Sequence, residues 1–270
     1  MSIEVVSIGS SSSGNSYIIM AGERTILLDV GLPAKKITGA LEHLGTDPAD
    51  VDAVLITHEH TDHVKSVRAV SRKCCNAVFY ASRGTVSHTA NFCYVPEERL
   101  HIVSAGDKIY DGDLTIGVFA LSHDASEPVG FTIESGDEKA AVVTDTGIIT
   151  DEIFDAVRDA GILVFESNHD VEMLMFGEYP YPLKVRIKGD QGHLSNEYAA
   201  GVLARILACR SGRGGAPLRI MLAHLSFHNN MPLFARRTVE DTLGEAGFIY
   251  GSDYVLDVAA REGLTFMPNA

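Results

Sequence analysis

The run Val51-Asp52-Ala53-Val54-Leu55-Ile56, followed by Thr57-His58-Glu59-His60-Thr61-Asp62-His63, decides how this chain is read. Its first half is apolar and rich in β-branched side chains, the pattern of a strand buried on both faces. Its second half sets three imidazoles and a carboxylate where that strand ends. Neutral imidazole and carboxylate are ligands for zinc, manganese or iron. His58 and His60 are two residues apart, so in a loop both can turn toward one point. Asp62 and His63 lie past the bend, where Val64, Val67 and Val70 continue at helical spacing, and can face a second metal. The bland alternative is a polar loop that happens to contain histidines. Four ligand-type side chains in this order make chance a poor account of them.

Working outward, the same arrangement recurs. Apolar runs at 114–121, 140–143, 162–165 and 220–223 lead into Ser122-His123-Asp124-Ala125, Thr144-Asp145-Thr146-Gly147, Glu166-Ser167-Asn168-His169-Asp170 and His224-Leu225-Ser226. Counting the first, five apolar strands end in His or Asp clusters. Ligands of open α/β sheets gather at the carboxyl ends of strands, so these five ends are expected to converge on one site. A further strand at 25–30 ends in Leu28-Asp29-Val30-Gly31, where a buried carboxylate needs a partner.

The remaining segments complete an α/β pattern. Strands are expected at 3–8, 17–20 and 77–81, and the small polar residues from Gly9 to Ser16 read as a solvated loop. Helices are expected at 33–44, 152–160, 196–208 and 232–246, the last opening on a proline and closing before Gly247. Residues 211–217 read as a glycine-rich linker. No repeat, low-complexity tail or long linker divides the chain, so residues 1–270 are expected to form one domain.

Composition narrows the functional classes. The chain has 270 residues, 46% hydrophobic and 21% charged, which are globular values. We expect neither a secretory leader nor a membrane span, and hence a cytoplasmic protein. Cys74, Cys75, Cys93 and Cys209 form no zinc or disulfide pattern. The formal net charge of −14 opposes loose binding to nucleic acid. It does not oppose phosphodiester chemistry at a metal site, where the ions supply positive charge.

The His-x-His-x-Asp-His order of His58, His60, Asp62 and His63 resembles the signature of the metallo-β-lactamase superfamily. That resemblance implies an αββα sandwich of two facing mixed sheets with helices outside, and a dinuclear site. It implies His58 and His60 on one ion with His123, Asp62 and His63 on the other with His224, and Asp145 bridging. Asp29 is implied as a supporting carboxylate beneath the histidines. A hydroxide between two such ions, oriented by Asp62 and Asp145, would attack a phosphodiester.

Other segments narrow the resemblance. Ser122 to Ala125 with Glu127-Pro128, the run 166–170, Tyr179-Pro180-Tyr181-Pro182-Leu183-Lys184 and Gly192-His193-Leu194-Ser195-Asn196 are similar to the YycJ/WalJ branch of the superfamily. Its members are described as DNases working 5′ to 3′. The resemblance spans nearly the whole chain. The chain has no room for a β-CASP insertion and shows no tRNA-gripping arm, which counts against the RNA-processing activities that use them; DNA ahead of RNA as substrate is what the resemblance implies. His193 or His169 is the expected proton donor to the leaving oxygen. Lys184, Arg186 and Lys188 alternate along 183–188 and are expected on one side to meet phosphates, with Ser195 and Asn196 nearby. Ser195 has a competing task as a helix cap. The rival readings are a small-molecule hydrolase of the same fold, acting on a thioester, lactone or cyclic phosphodiester, and a metal-free binding protein. Nothing in the sequence names a protein partner.

Overall fold

The computed structural model describes residues 2–210 and 215–269. Residues 211–214 of the expected linker therefore lie outside the described residues. Strands β1 (Ile3–Ser11), β2 (Gly14–Ala21) and β3 (Arg24–Leu28) lead to α1 (Ala34–His43) and β4 (Ala53–Leu55). The chain continues through α2 (Thr61–Val64), α3 (Val67–Lys73), β5 (Val78–Ser82), α4 (Arg83–His88) and β6 (Leu100–Val103). Then come β7 (Lys108–Asp111), β8 (Leu114–Ala120), β9 (Val129–Ser135), β10 (Glu138–Val143), α5 (Asp151–Val157) and β11 (Ile162–Glu166). Helices α6 (Val171–Phe176), α7 (Tyr181–Lys188) and α8 (Asn196–Arg210) precede β12 (Leu218–Ala223), α9 (Pro232–Glu245), β13 (Tyr254–Val258) and β14 (Thr265–Phe266). The strands fall into two sheets of mixed direction.

The chain divides into two compact units interleaved in sequence. The first takes residues up to 120, residues 125–138 and residues 260–266; the second takes residues 121–124, 139–259 and those after 266. In the first unit a sheet runs in the order β14-β1-β2-β3-β4-β5-β6. β1, β2 and β3 are antiparallel, and β3 to β6 are parallel because helices carry the chain back between them. The apolar positions of β3, β4 and β5 are buried against Ile37 and Leu41 of α1 and Val67 and Val70 of α3. Burying each such side chain contributes about 1.5–3 kcal/mol. β7, β8 and β9 form an antiparallel meander in the same unit.

In the second unit β10, β11, β12 and β13 are parallel neighbours. Their near-continuous apolar sequence follows from burial on both faces. α8 turns Val202, Leu203 and Ile206 inward, and α9 turns Ala235, Val239 and Leu243 inward. α9 begins at Pro232, and Gly247 lies just past its end with φ 88°, the left-handed position that favours glycine after a helix.

Two expectations fail. Residues 9–16 are not a solvated loop: β1 reaches Ser11, β2 starts at Gly14, and Ser10, Ser11, Asn15 and Ser16 are buried. Burial is possible because these groups bond one another. Asn15 Oδ1 accepts from Ser10 Oγ and Ser11 N at 3.1 and 3.0 Å, and its amide donates to Ser11 O at 3.0 Å. Residues 183–188 belong to helix α7, with a proline in its first turn. Alternate residues of a helix do not share a side, so Lys184 and Lys188 lie one turn apart and Arg186 points elsewhere. Among the described residues, no helix is long and apolar enough to cross a membrane.

Candidate metal centre

In the first unit, β4 ends at Leu55 and the chain runs through Thr57 to His60 into α2, whose first turn carries Asp62 and His63. The ring of His58 lies 4.0 Å from that of His63 and 4.6 Å from that of His60, centroid to centroid. Asp29 follows β3, the parallel neighbour of β4, and is fully buried in the left-handed region at φ 57°. A non-glycine residue held there costs about 1–2 kcal/mol and marks a place the surroundings over-determine. The carboxylate is fully engaged. It accepts from Thr57 N at 2.9 Å, from Thr57 Oγ1 at 2.9 Å and from His63 Nδ1 at 2.7 Å. That bond fixes the His63 tautomer and makes Nε2 the nitrogen presented to a metal. Asn15 was not anticipated: its amide lies 3.2 Å from His63 Nε2 and 3.4 Å from Asp62 Oδ2. The structure places it in β2, in a stretch that reads as loop from the sequence. Gly31 sets the position of α2, since a Cβ there would lie 1.5 Å from Asp62 O.

In the second unit, Asp145 follows β10, Glu166 ends β11 and His224 follows β12. These are successive parallel strands, so their carboxyl ends place the three side chains side by side. Asp145 and His224 are also left-handed, at φ 60° and 56°. Glu166 gathers the cluster. Its Oε1 accepts from His193 Nδ1 at 2.9 Å and His224 Nδ1 at 2.8 Å, and its Oε2 accepts from Thr146 N at 3.1 Å and Leu194 N at 3.2 Å. Burial alone would raise the Glu166 carboxyl, but His193 and His224 outweigh it and hold it well below the usual carboxylate range. Asp145 Oδ1 lies 3.2 Å from His224 Nδ1 and 3.9 Å from His123 Nε2. His123 Nδ1 donates to Gly192 O at 3.2 Å, and burial lowers the pKa of that ring.

The other expected residues lie around this cluster. His169 is buried, with no hydrogen-bond partner at Nδ1. Burial foremost, with His193 and Lys188 against the pull of Glu166, pushes its pKa down to about 4. Ser195 Oγ accepts from Tyr198 N at 3.1 Å and so caps α8. Asn196 is buried, and its Oδ1 accepts from Ser167 Oγ at 2.6 Å and Asn230 Nδ2 at 2.9 Å. Lys184 Nζ donates to Met175 O in the last turn of α6 and to Gly177 O just past it, at 2.8 and 2.7 Å. Arg186 Nε donates to Asp124 Oδ2 at 2.5 Å. Lys188 is exposed.

This chemistry fits divalent ions. In the second unit Asp145, Glu166, His193 and His224 offer ligand atoms all within 4.8 Å of one another. His63, His123 and His224 each hold Nδ1 on a protein oxygen, the outer-sphere support that metal-binding imidazoles require.

Residues 24–211 match the β-lactamase superfamily domain. The chain is 36% identical over 248 residues to exodeoxyribonuclease YycJ of Bacillus anthracis, covering 92% of this chain and 91% of that one. It is 37% identical over 250 residues to exodeoxyribonuclease WalJ of Streptococcus pneumoniae serotype 2, covering 92% and 90%. Among solved structures, the metallo-β-lactamase fold protein YhfI of Bacillus subtilis superposes over 98% of each chain with TM-score 0.70 at 15% identity, a likeness of fold alone. The α/β architecture of the described residues agrees with that likeness and with the αββα sandwich expected from the sequence. The chain therefore belongs to the β-lactamase superfamily, with the metallo-β-lactamase fold.

Proposed function

We propose that this chain is a divalent-metal-dependent phosphodiesterase, a DNA exonuclease working from the 5′ end, carried on one metallo-β-lactamase-like domain spanning residues 1–270 without a β-CASP insertion. The observation that carries this reading is the reach of the similarity. Relatives named as exodeoxyribonucleases match over about nine-tenths of both chains, well beyond the histidine cluster. In this reading His58, His60 and His123 would hold one ion and Asp62, His63 and His224 the other, with Asp145 as the further carboxylate ligand. Zinc or manganese suits this donor set, with iron the third option.

A bound pair of such ions supplies an activated water and offsets charge developing on an attacked phosphodiester. The chain's own groups do the positioning. Asp29 and Glu166 fix the rings of His63, His193 and His224. Asp62, with the Asn15 amide beside it, orients the attacking water. His193 is the better of the two candidate proton donors: its side chain is 19% exposed, and Glu166 holds Nδ1, leaving Nε2 for the leaving oxygen. His169 is buried and neutral near pH 7, which suits it to shaping the site. A cytoplasmic location belongs to the same proposal, and the free state of all four cysteines agrees with it.

The test is cleavage of end-labelled single- and double-stranded DNA, with RNA alongside, by chelator-stripped protein resupplied with manganese or zinc. The expected result is metal-dependent release of nucleotides from the 5′ end of DNA. Failure to cut any polymer, with the ions demonstrably bound, would sink the reading and leave the small-molecule hydrolase.

A further inference from the structure

We propose that the exposed face of α3, with Lys65 just before it, is the track on which the phosphate backbone of the DNA substrate lies. Residues 64–96 hold Lys65, Arg68, Arg72, Lys73 and Arg83, and none of the chain's 36 Asp and Glu residues. That segment begins directly after His63. In a chain of net charge −14, it is a stretch of consistently opposite sign, and a polyanion repelled elsewhere is drawn to it.

The helix is built to present these cations. α3 buries Val67, Val70 and Ser71, while Arg68 and Arg72, one turn apart, are exposed together with Lys65 and Lys73. Among the described residues none of these four forms an ion pair. The Arg68 guanidinium lies 4.1 Å above the ring of Tyr94, itself 49% exposed. A stacked guanidinium keeps its planar fork of donors for phosphate. The end of α3 is held from within, where Arg99 donates to Ser71 O at 2.9 Å and to Cys74 O and Ala77 O at 3.1 Å. Helix α7, where the sequence placed the phosphate contacts, is different. Lys184 is spent on backbone carbonyls and Arg186 on Asp124, and acidic residues flank the helix.

The occupant of this surface rests on the nuclease reading, and the experiment separates the two. Arg68→Gln and Arg72→Gln are combined, since glutamine keeps helix propensity and the buried face is untouched. KM and kcat of the metal-loaded enzyme are measured on long single-stranded DNA at several salt concentrations, beside hydrolysis of bis(p-nitrophenyl) phosphate. Losing two phosphate contacts should raise KM severalfold and flatten its logarithmic salt dependence by about 1.4 on a single strand, with kcat and the small diester unchanged. An unaltered KM and salt slope would overturn the surface while leaving the nuclease. If the unaltered enzyme hydrolyses the small diester but not DNA, the nuclease reading falls, and anisotropy of labelled DNA decides the surface. A salt slope reduced in the double variant keeps it; equal binding by both proteins, or by neither, overturns it.

Discussion

In the first unit, four metal-type side chains come from six consecutive residues, His58 to His63, and one carboxylate just past the neighbouring strand, Asp29, holds His63 and the Thr57 that precedes them. In the second, His123, Asp145, His193 and His224 come from four separate segments, and Glu166 at the end of β11 gathers two of them. Chain locality brings the first set together, so a short loop and one turn of helix suffice. Register brings Asp145 and His224 of the second set beside Glu166: Val143 pairs with Phe165 and Glu166 with Ala223, so these three fall side by side. The contiguous set therefore depends on close backbone approach. The scattered set depends on one buried acceptor shared by two of its rings.

The largest expected effect tests that dependence on close approach. Gly31→Ala would put a Cβ 1.5 Å from Asp62 O, against backbone that cannot swing aside. Expected is a loss of about 3 kcal/mol or more in urea unfolding, with metal affinity and activity falling together. A Gly31→Ala protein with wild-type stability and full metal binding would break the account of the first unit.

Replacing the two carboxylates sharpens the comparison. Asp29→Asn and Glu166→Gln keep shape and remove charge. Supporting groups of this kind are worth about 10–100-fold in metal affinity or activity. Glu166 receives two histidines and two backbone N–H groups, whereas Asp29 receives one histidine and both donors of Thr57. Glu166→Gln should therefore lie at the upper end of that range and Asp29→Asn at the lower, read by competition with a chelator and by kcat/KM. The reverse order would show that sharing does not set the dependence.

The same contrast explains what the sequence could and could not disclose. His58 to His63 were legible because their meaning lies in their own spacing. The strand ends bearing His123, Asp145 and His224 were legible because each follows an apolar run. Glu166 stood in the quoted motif without a role, since which residue of 166–170 faces the cluster follows from the pairing of β11 with β10 and β12. Asn15 reads as loop because its partners at Asp62 and His63 are nearly fifty residues away, and a run of serines mimics a solvated turn. At 183–188 a two-residue alternation suggests that the three basic residues share one side, but a proline in the first turn and eight helical residues set a different period.

Acid should discriminate between the units as well. His63 sits on an anion, whereas His169 in the second unit is buried with its Nδ1 unpartnered and its pKa pushed down to about 4. Its folded pKa lies below that of the unfolded chain, so the unfolded state takes the proton first as pH falls. Stability that is full above pH 6.5 should decline between 6.5 and 4, by on the order of 2 kcal/mol. His169→Leu should remove most of that decline when unfolding is followed in excess chelator, where metal release plays no part. An unchanged pH profile in the variant would place the acid sensitivity elsewhere.

The smallest effect concerns Ser195, which stands two residues from His193 and carries two possible tasks. Its Oγ accepts from Tyr198 N, so Ser195→Ala should cost about 1 kcal/mol through the lost cap. If capping is its whole task, KM and kcat on DNA stay at wild-type values, and Ser195→Asp, another good cap, restores stability and remains active. If the hydroxyl also touches substrate, both variants raise KM, and aspartate raises it further because its charge repels phosphate. The buried partners of Asn196 favour the first outcome, since α8 then begins as a fixed support for the segment that carries His193.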